Sequence, residues 1–170
     1  RGAMDDALTL HSQALEIQIA SRDALGASRS YINMGYIFRR RRDTRHALEV
    51  YGNVEGLLEA ENYPELMDAK IRLAAAFLEM GELDRARDHA MSAHDNTLEN
   101  GQEELHARSR AVLGRYYAKM KDNELALLHY SAALEILSEA TDPQSAVEVE
   151  ILLGQVLSDA GRRAEAAEHY

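Results

Sequence analysis

The feature that most limits what this chain can fold into is a repeat of about forty residues. Small residues that follow Met or Leu, namely Gly35, Ala74, Gly114 and Gly154, are spaced 39, 40 and 40 residues apart. An alanine falls twelve residues after each, at Ala47, Ala86, Ala126 and Ala166, and Ala7 stands 40 before Ala47. A third ladder of larger side chains, Phe38, Phe77, Tyr117 and Leu157, lies three residues after the small ones. Three ladders in register mark a stack of one supersecondary unit that buries its apolar face only against its neighbours.

The unit is helical. Only two prolines occur in 170 residues, Ala, Leu, Glu and Arg are abundant, and apolar residues recur at helical spacing. Turn-forming residues divide each unit in two, at Arg42-Asp43-Thr44, Gly81-Glu82, Lys121-Asp122-Asn123 and Gly161-Arg162, so each unit is a helical hairpin. Breaks between units are read at Leu25-Gly26, Asn62-Tyr63-Pro64, Asn100-Gly101 and Thr141-Asp142-Pro143, the last pair suiting a cap and first turn. Helices are expected over about 5–23, 27–41, 44–61, 65–80, 83–99, 103–120, 123–139 and 144–160, with a ninth opening near 163. The small ladder residues let the two backbones of a hairpin approach, while Tyr51, Tyr130 and the Phe/Tyr ladder fill the space between hairpins.

The run Leu113-Gly114, Tyr117, Ala126, Tyr130 and Ala133 resembles the tetratricopeptide repeat, and the resemblance extends over nearly the whole chain. The period of 40 is similar to the long-helix variety of kinesin light chains, cell-polarity adaptors and bacterial signal-responsive regulators. The sequence departs from the family pattern in two places. The usual aromatic four residues before the small one is present only as Tyr31 and is replaced by Lys70, Arg110 and Glu150. The usual turn glycine is present as Gly81 and Gly161 but replaced by Arg42 and Lys121. The resemblance implies an all-α, right-handed superhelix of about four hairpins plus half-repeats. It forms one domain over 1–170, with units 5–23 (half), 27–61, 65–99, 103–139 and 144–170 (incomplete). The chain opens and stops on second-type helices, so it reads as a fragment of a longer protein, with residues 1–4 as a cloning remnant. The rival is a homo-oligomer joined end to end through uncapped faces.

In the resembled family the first helix of each hairpin lines the concave side. Transferred to this chain, that face carries Arg29, Asn33, Tyr36, Arg39, Arg40, Arg72, Arg108, Arg115 and Lys119 as candidate partner-binding residues. With Asp68, Glu79, Glu148 and Asp159 on the same face, seven basic and four acidic groups give the groove a net +3, against −10 for the whole chain. Arginine forks bind carboxylate in two-point geometry, so an acidic or carboxylate-bearing peptide or partner helix is the expected ligand. The competing expectation is that these arginines pair with neighbouring Asp and Glu. Ile32, Ile71, Ala111 and Ile151, with Leu78, Val112 and Leu152, offer an apolar strip.

Other functions are disfavoured. The acidic balance opposes nucleic acid and anionic membrane, and Arg39 to Arg42 read as a helix end rather than a phosphate patch. There is no cysteine. His89, His129 and His169 recur every 40 residues as repeat features rather than a metal cluster, and no HExxH occurs. No nucleophile–base constellation or phosphate-cradling glycine loop is present, so no enzyme and no cofactor are expected. The chain reads as a cytoplasmic, non-catalytic interaction scaffold. The alternative is the peptide- or effector-sensing region of a bacterial transcription or signalling regulator.

Overall fold

Six of the helix ends turn on one backbone device. In each, a residue with positive φ follows the helix, and the next N–H donates back five residues to the last full turn. Asp43 N reaches Phe38 O at 2.9 Å, Glu82 N reaches Phe77 O at 3.0 Å, and Asp122 N reaches Tyr117 O at 3.0 Å. The left-handed residue is glycine at Gly81, Gly101 and Gly161, with φ of 83°, 65° and 79°, and Arg22, Arg42 or Lys121 elsewhere, with φ of 58°, 61° and 62°. The turns that lack the family's glycine therefore adopt its conformation regardless, against a steric penalty of about 1 kcal/mol each.

The computed structural model describes residues 2–60, 67–139 and 143–169. Within them lie α1 (Gly2–Ala20), α2 (Ala24–Arg40), α3 (Thr44–Ala60), α4 (Met67–Met80), α5 (Leu83–Glu99), α6 (Glu103–Lys119), α7 (Asn123–Glu139), α8 (Pro143–Asp159) and α9 (Arg163–Ala166). The unit break expected at Asn62-Tyr63-Pro64, the cap expected at Asp142, and Tyr170 fall outside the described residues, while Pro143 opens α8. One expected boundary is corrected. Leu25-Gly26 is not a break but the first turn of α2, and the break lies at Ser21 to Asp23. Asp23 is the cap, its Oδ1 accepting from Gly26 N at 2.8 Å. A Cβ at position 26 would press on that carboxylate, so the glycine serves the cap.

The repeat ladders are the core. Ala47, Ala86 and Ala126 are fully buried, as are Phe77, Tyr51, Leu73, Ala74 and Leu113. Gly35 and Gly114 each lie under a tyrosine of the second helix. A Cβ at 35 would sit on the Tyr51 ring, 2.5 Å from Cζ, and one at 114 would be 2.6 Å from Tyr130 Cε1. Each helix packs on the next in sequence, and beyond that α2, α4, α6 and α8 touch one another in order. The second helices α3, α5 and α7 make at most marginal contact with each other. A row that touches inside and splays outside is a curved stack, an open α-solenoid with the first helices on its inner side.

Candidate functional site

The inner surface is built by positions spaced so that one face of each first helix points inward. Between α2 and α4 a depression is lined by Arg29, Ile32, Asn33, Asp68 and Arg72. A second, of about 220 Å³, lies between α4, α6 and α8, with Arg72, Arg108, Arg115 and Glu148 around an apolar floor that includes Ile71, Ala75, Ala111, Val112 and Leu152. A third, at the far end, is lined by Arg39, Arg40, Arg42, Thr44, Glu79 and Met80. Seven of the nine candidate residues therefore line these three hollows. Tyr36 is half exposed and has the Arg39 guanidinium 5.9 Å from its ring centre. Lys119 is exposed in the last turn of α6, apart from the residues that line the hollows.

The apolar strip is narrower than its sequence suggests. Ile32, Ile71, Leu78 and Val112 are buried in packing between hairpins, and Ile151 is half exposed. Among the described residues of the strip, Ala111 and Leu152 at the second hollow and Ile151 keep exposed apolar surface.

The groove cations are not all open. Asp68, in the first turn of α4, accepts from Arg72 Nε at 2.8 Å and has Arg108 Nη1 2.7 Å from its other oxygen, off the hydrogen-bond axis. Glu79, at the other end of α4, pairs with Arg39 from α2 and with Arg115 from α6 at 3.5 Å. Burial by itself would raise the Asp68 pKa, but its two arginines outweigh that and hold it below the usual carboxylate range. Arg29, Arg40 and Lys119 have no ion-pair partner among the described residues. Among the described residues the pairing expectation thus holds for four of the seven cations.

Between α5, α6 and α7, sequence spacing concealed a cluster. His94 from α5, His106 from α6 and His129 from α7 converge, with ring centres 4.5 Å apart for His94 and His106 and 6.1 Å for His94 and His129. Arg110, in the slot where the family carries an aromatic, donates from Nε to His106 Nε2 at 3.0 Å. That leaves the His106 proton on Nδ1, which points to His94 O at 3.3 Å. Nδ1 of His94 and of His129 is buried without a hydrogen-bond partner among the described residues. Burial, then the Arg110 charge, then His94 push His129 down to about 4. Burial and the neighbouring cation lower His106, and burial followed by the His106 and Arg110 charges lowers His94.

His89 and His129 also show the repeat relation read from their spacing, each stacking on the ladder aromatic of its hairpin, Phe77 at 5.8 Å and Tyr117 at 5.3 Å. Among the described residues no three His, Cys, Asp or Glu side chains are placed to hold a metal ion. No described helix is long and apolar enough to cross a membrane.

No family model matches the chain, and no curated protein matches it by sequence. Solved structures do. The chain is similar to BtubC (BKLC) from P. vanneervenii, with 21% identity, a TM-score of 0.79, and coverage of 99% of this chain and 70% of that one. It is similar to the apo form of RapI, with 16% identity, a TM-score of 0.74 and 99% of this chain covered, and it spans 47% of RapI. It is also similar to the nearly identical TPR-like repeats of a putative kinesin light chain from Podosopora anserina, with 17% identity, a TM-score of 0.74, and coverage of 99% and 84%. Each likeness is one of fold.

Proposed function

We propose, from a chain built as tetratricopeptide-like helical repeats, a non-catalytic interaction scaffold that holds an acidic, carboxylate-bearing peptide or partner helix in its concave groove. The observation that carries this reading is the meeting of Arg72, Arg108 and Arg115, from two successive hairpins, around one apolar-floored hollow. Arginines beside an aliphatic floor suit a segment that brings both a carboxylate and an apolar side chain. Arg29 and Asn33 extend the same surface toward α2, where an amide with both a donor and an acceptor can hold a peptide backbone. The long-range part is electrostatic. A net-positive groove in a chain of charge −10 focuses anions inward and repels them elsewhere.

The test replaces Arg72, Arg108 and Arg115 together with Glu. Helicity by circular dichroism is expected to be retained, because the buried ladder residues that hold the hairpins together are untouched, although the reversal removes the partners of Asp68 and one of those of Glu79. Binding of a fluorescein-labelled Glu- and Leu-containing peptide, followed by anisotropy at low salt, is expected to disappear. Undiminished binding by the triple variant would reject the groove as the working surface.

A further inference from the structure

Asp68 and Glu79 lie eleven residues apart on α4, three helical turns, so they project from one face with a separation of about 16 Å along the axis. Between them they engage four of the seven groove cations. Arg39 comes from α2, Arg72 from α4 itself, and Arg108 and Arg115 from α6. Each carboxylate is therefore the centre of an arginine–carboxylate–arginine bridge of net charge +1, and the central hairpin supplies the acid in both. Asp68 lines the first hollow and Glu79 the third, so both acids occupy places where an incoming anion would meet these guanidinium groups.

We propose that Asp68 and Glu79 are built-in stand-ins for ligand carboxylates, so that the groove is self-screened and is filled by exchange. The occupant is an acidic peptide segment carrying two carboxylates about 16 Å apart. This rests on the groove reading given above and adds its regulation. An isolated anion gains little by displacing either acid, because the arginine forks exchange one carboxylate for an equivalent one and the tethered one returns at once. A segment that presents both acids displaces both stand-ins together and gains from the residual positive charge of each bridge. In an extended peptide only side chains an even number of positions apart share a face, so two Glu residues four positions apart, about 13 Å along the backbone with their flexible side chains reaching the rest, match that span. The structure thus makes selectivity depend on acid spacing rather than on total charge.

The experiment measures anisotropy of a fluorescein-labelled peptide with two Glu residues four positions apart, against wild type, Glu79→Gln, Asp68→Asn and an Arg115→Gln control. A second peptide with the two Glu residues adjacent is the spacing probe. Glu79→Gln, whose side chain is 45% exposed and does not endanger folding, is expected to bind the spaced peptide about fivefold more tightly, the size of one surface ion pair. Asp68→Asn is expected to do the same where it folds, Arg115→Gln to weaken binding, and wild type to prefer the spaced peptide over the adjacent one. If the arginine control loses binding while Glu79→Gln binds no better than wild type, self-screening is overturned and the groove reading stands. If no protein binds either peptide, or all bind alike, the groove reading falls and takes this proposal with it.

Discussion

The first and third hairpins are alike, and the second differs from both. In α2·α3 and α6·α7 the close approach is made by a glycine under a tyrosine, Gly35 with Tyr51 and Gly114 with Tyr130. In α4·α5 the equivalent positions are Ala74 and Ala90, both fully buried. The first and third hairpins turn through a left-handed Arg42 and Lys121, the second through Gly81. The first and third also place three cations each on the groove, whereas the second contributes Arg72 and two carboxylates, which pair with Arg39, Arg108 and Arg115 among those six. One hairpin geometry is therefore reached by two side-chain solutions, and across the first three hairpins the charge pattern of the inner face changes in step with them.

The largest effect is expected where the two solutions are forced together. Gly35→Ala puts a methyl into the Tyr51 ring and should destabilise the chain by about 2–3 kcal/mol in chemical denaturation, with Gly114→Ala similar through Tyr130. In a Tyr51→Ala background the same Gly35→Ala change recreates the Ala–Ala pair of the second hairpin. There it should be neutral or stabilising by about 1 kcal/mol, because alanine is the better helix former. The coupling is the measurement. A penalty at position 35 that persists without the tyrosine would show that the glycine answers to something other than the ring.

The next effect separates the second hairpin from the third by acid. His89 and His129 hold equivalent positions, but His89 Nε2 meets Glu55 at 2.8 Å while His129 faces Arg110 and His94. A histidine pushed down to about 4 takes up a proton more readily unfolded, near 6.5, than folded. The stability it supports is therefore fully present above about 6.5 and drains away as pH falls toward about 4. His129→Phe keeps a ring against Tyr117 and should remove about 1–2 kcal/mol of this pH dependence, discounted for partial exposure. Thermal melts between pH 7 and pH 4 would check it, and an unchanged slope would exclude His129 as a source.

Much of the architecture was legible because the period is enforced by volume. Ala47, Ala86 and Ala126 have no room to be larger, and a fully buried small residue recurs wherever the backbones cross. Two kinds of feature were not legible. Gly26 looked like a break because glycine usually is one, whereas its smallness makes room for the Asp23 cap three residues earlier. The histidine cluster joins residues 12 to 35 positions apart on three helices, and the signal for it was Arg110 in an aromatic slot, a departure from pattern with no apolar explanation. In the groove, the candidate face came from the family resemblance and its charge from the residues on that face, but the engagement of Asp68 and Glu79 depends on which rotamers reach across between helices, and the sequence pattern does not encode that.

The smallest effect concerns the turns, where the comparison can be reversed one residue at a time. Lys121 holds φ of 62° and Arg42 holds 61°, a region in which a side chain's Cβ crowds the carbonyl and glycine's absence of one relieves it. Lys121→Gly should therefore stabilise the chain by about 0.5–1 kcal/mol despite the greater freedom glycine has when unfolded. Gly81→Ala, at φ of 83°, should destabilise it by about 1 kcal/mol. Arg42→Gly carries a second consequence because Arg42 lines the hollow with Arg39 and Arg40. It should gain stability like Lys121→Gly and at the same time weaken acidic-peptide binding, whereas Lys121→Gly leaves binding unchanged. If both variants shift stability alike but neither alters binding, the turn cation of the first hairpin serves the fold alone and the working part of the groove ends at Arg40.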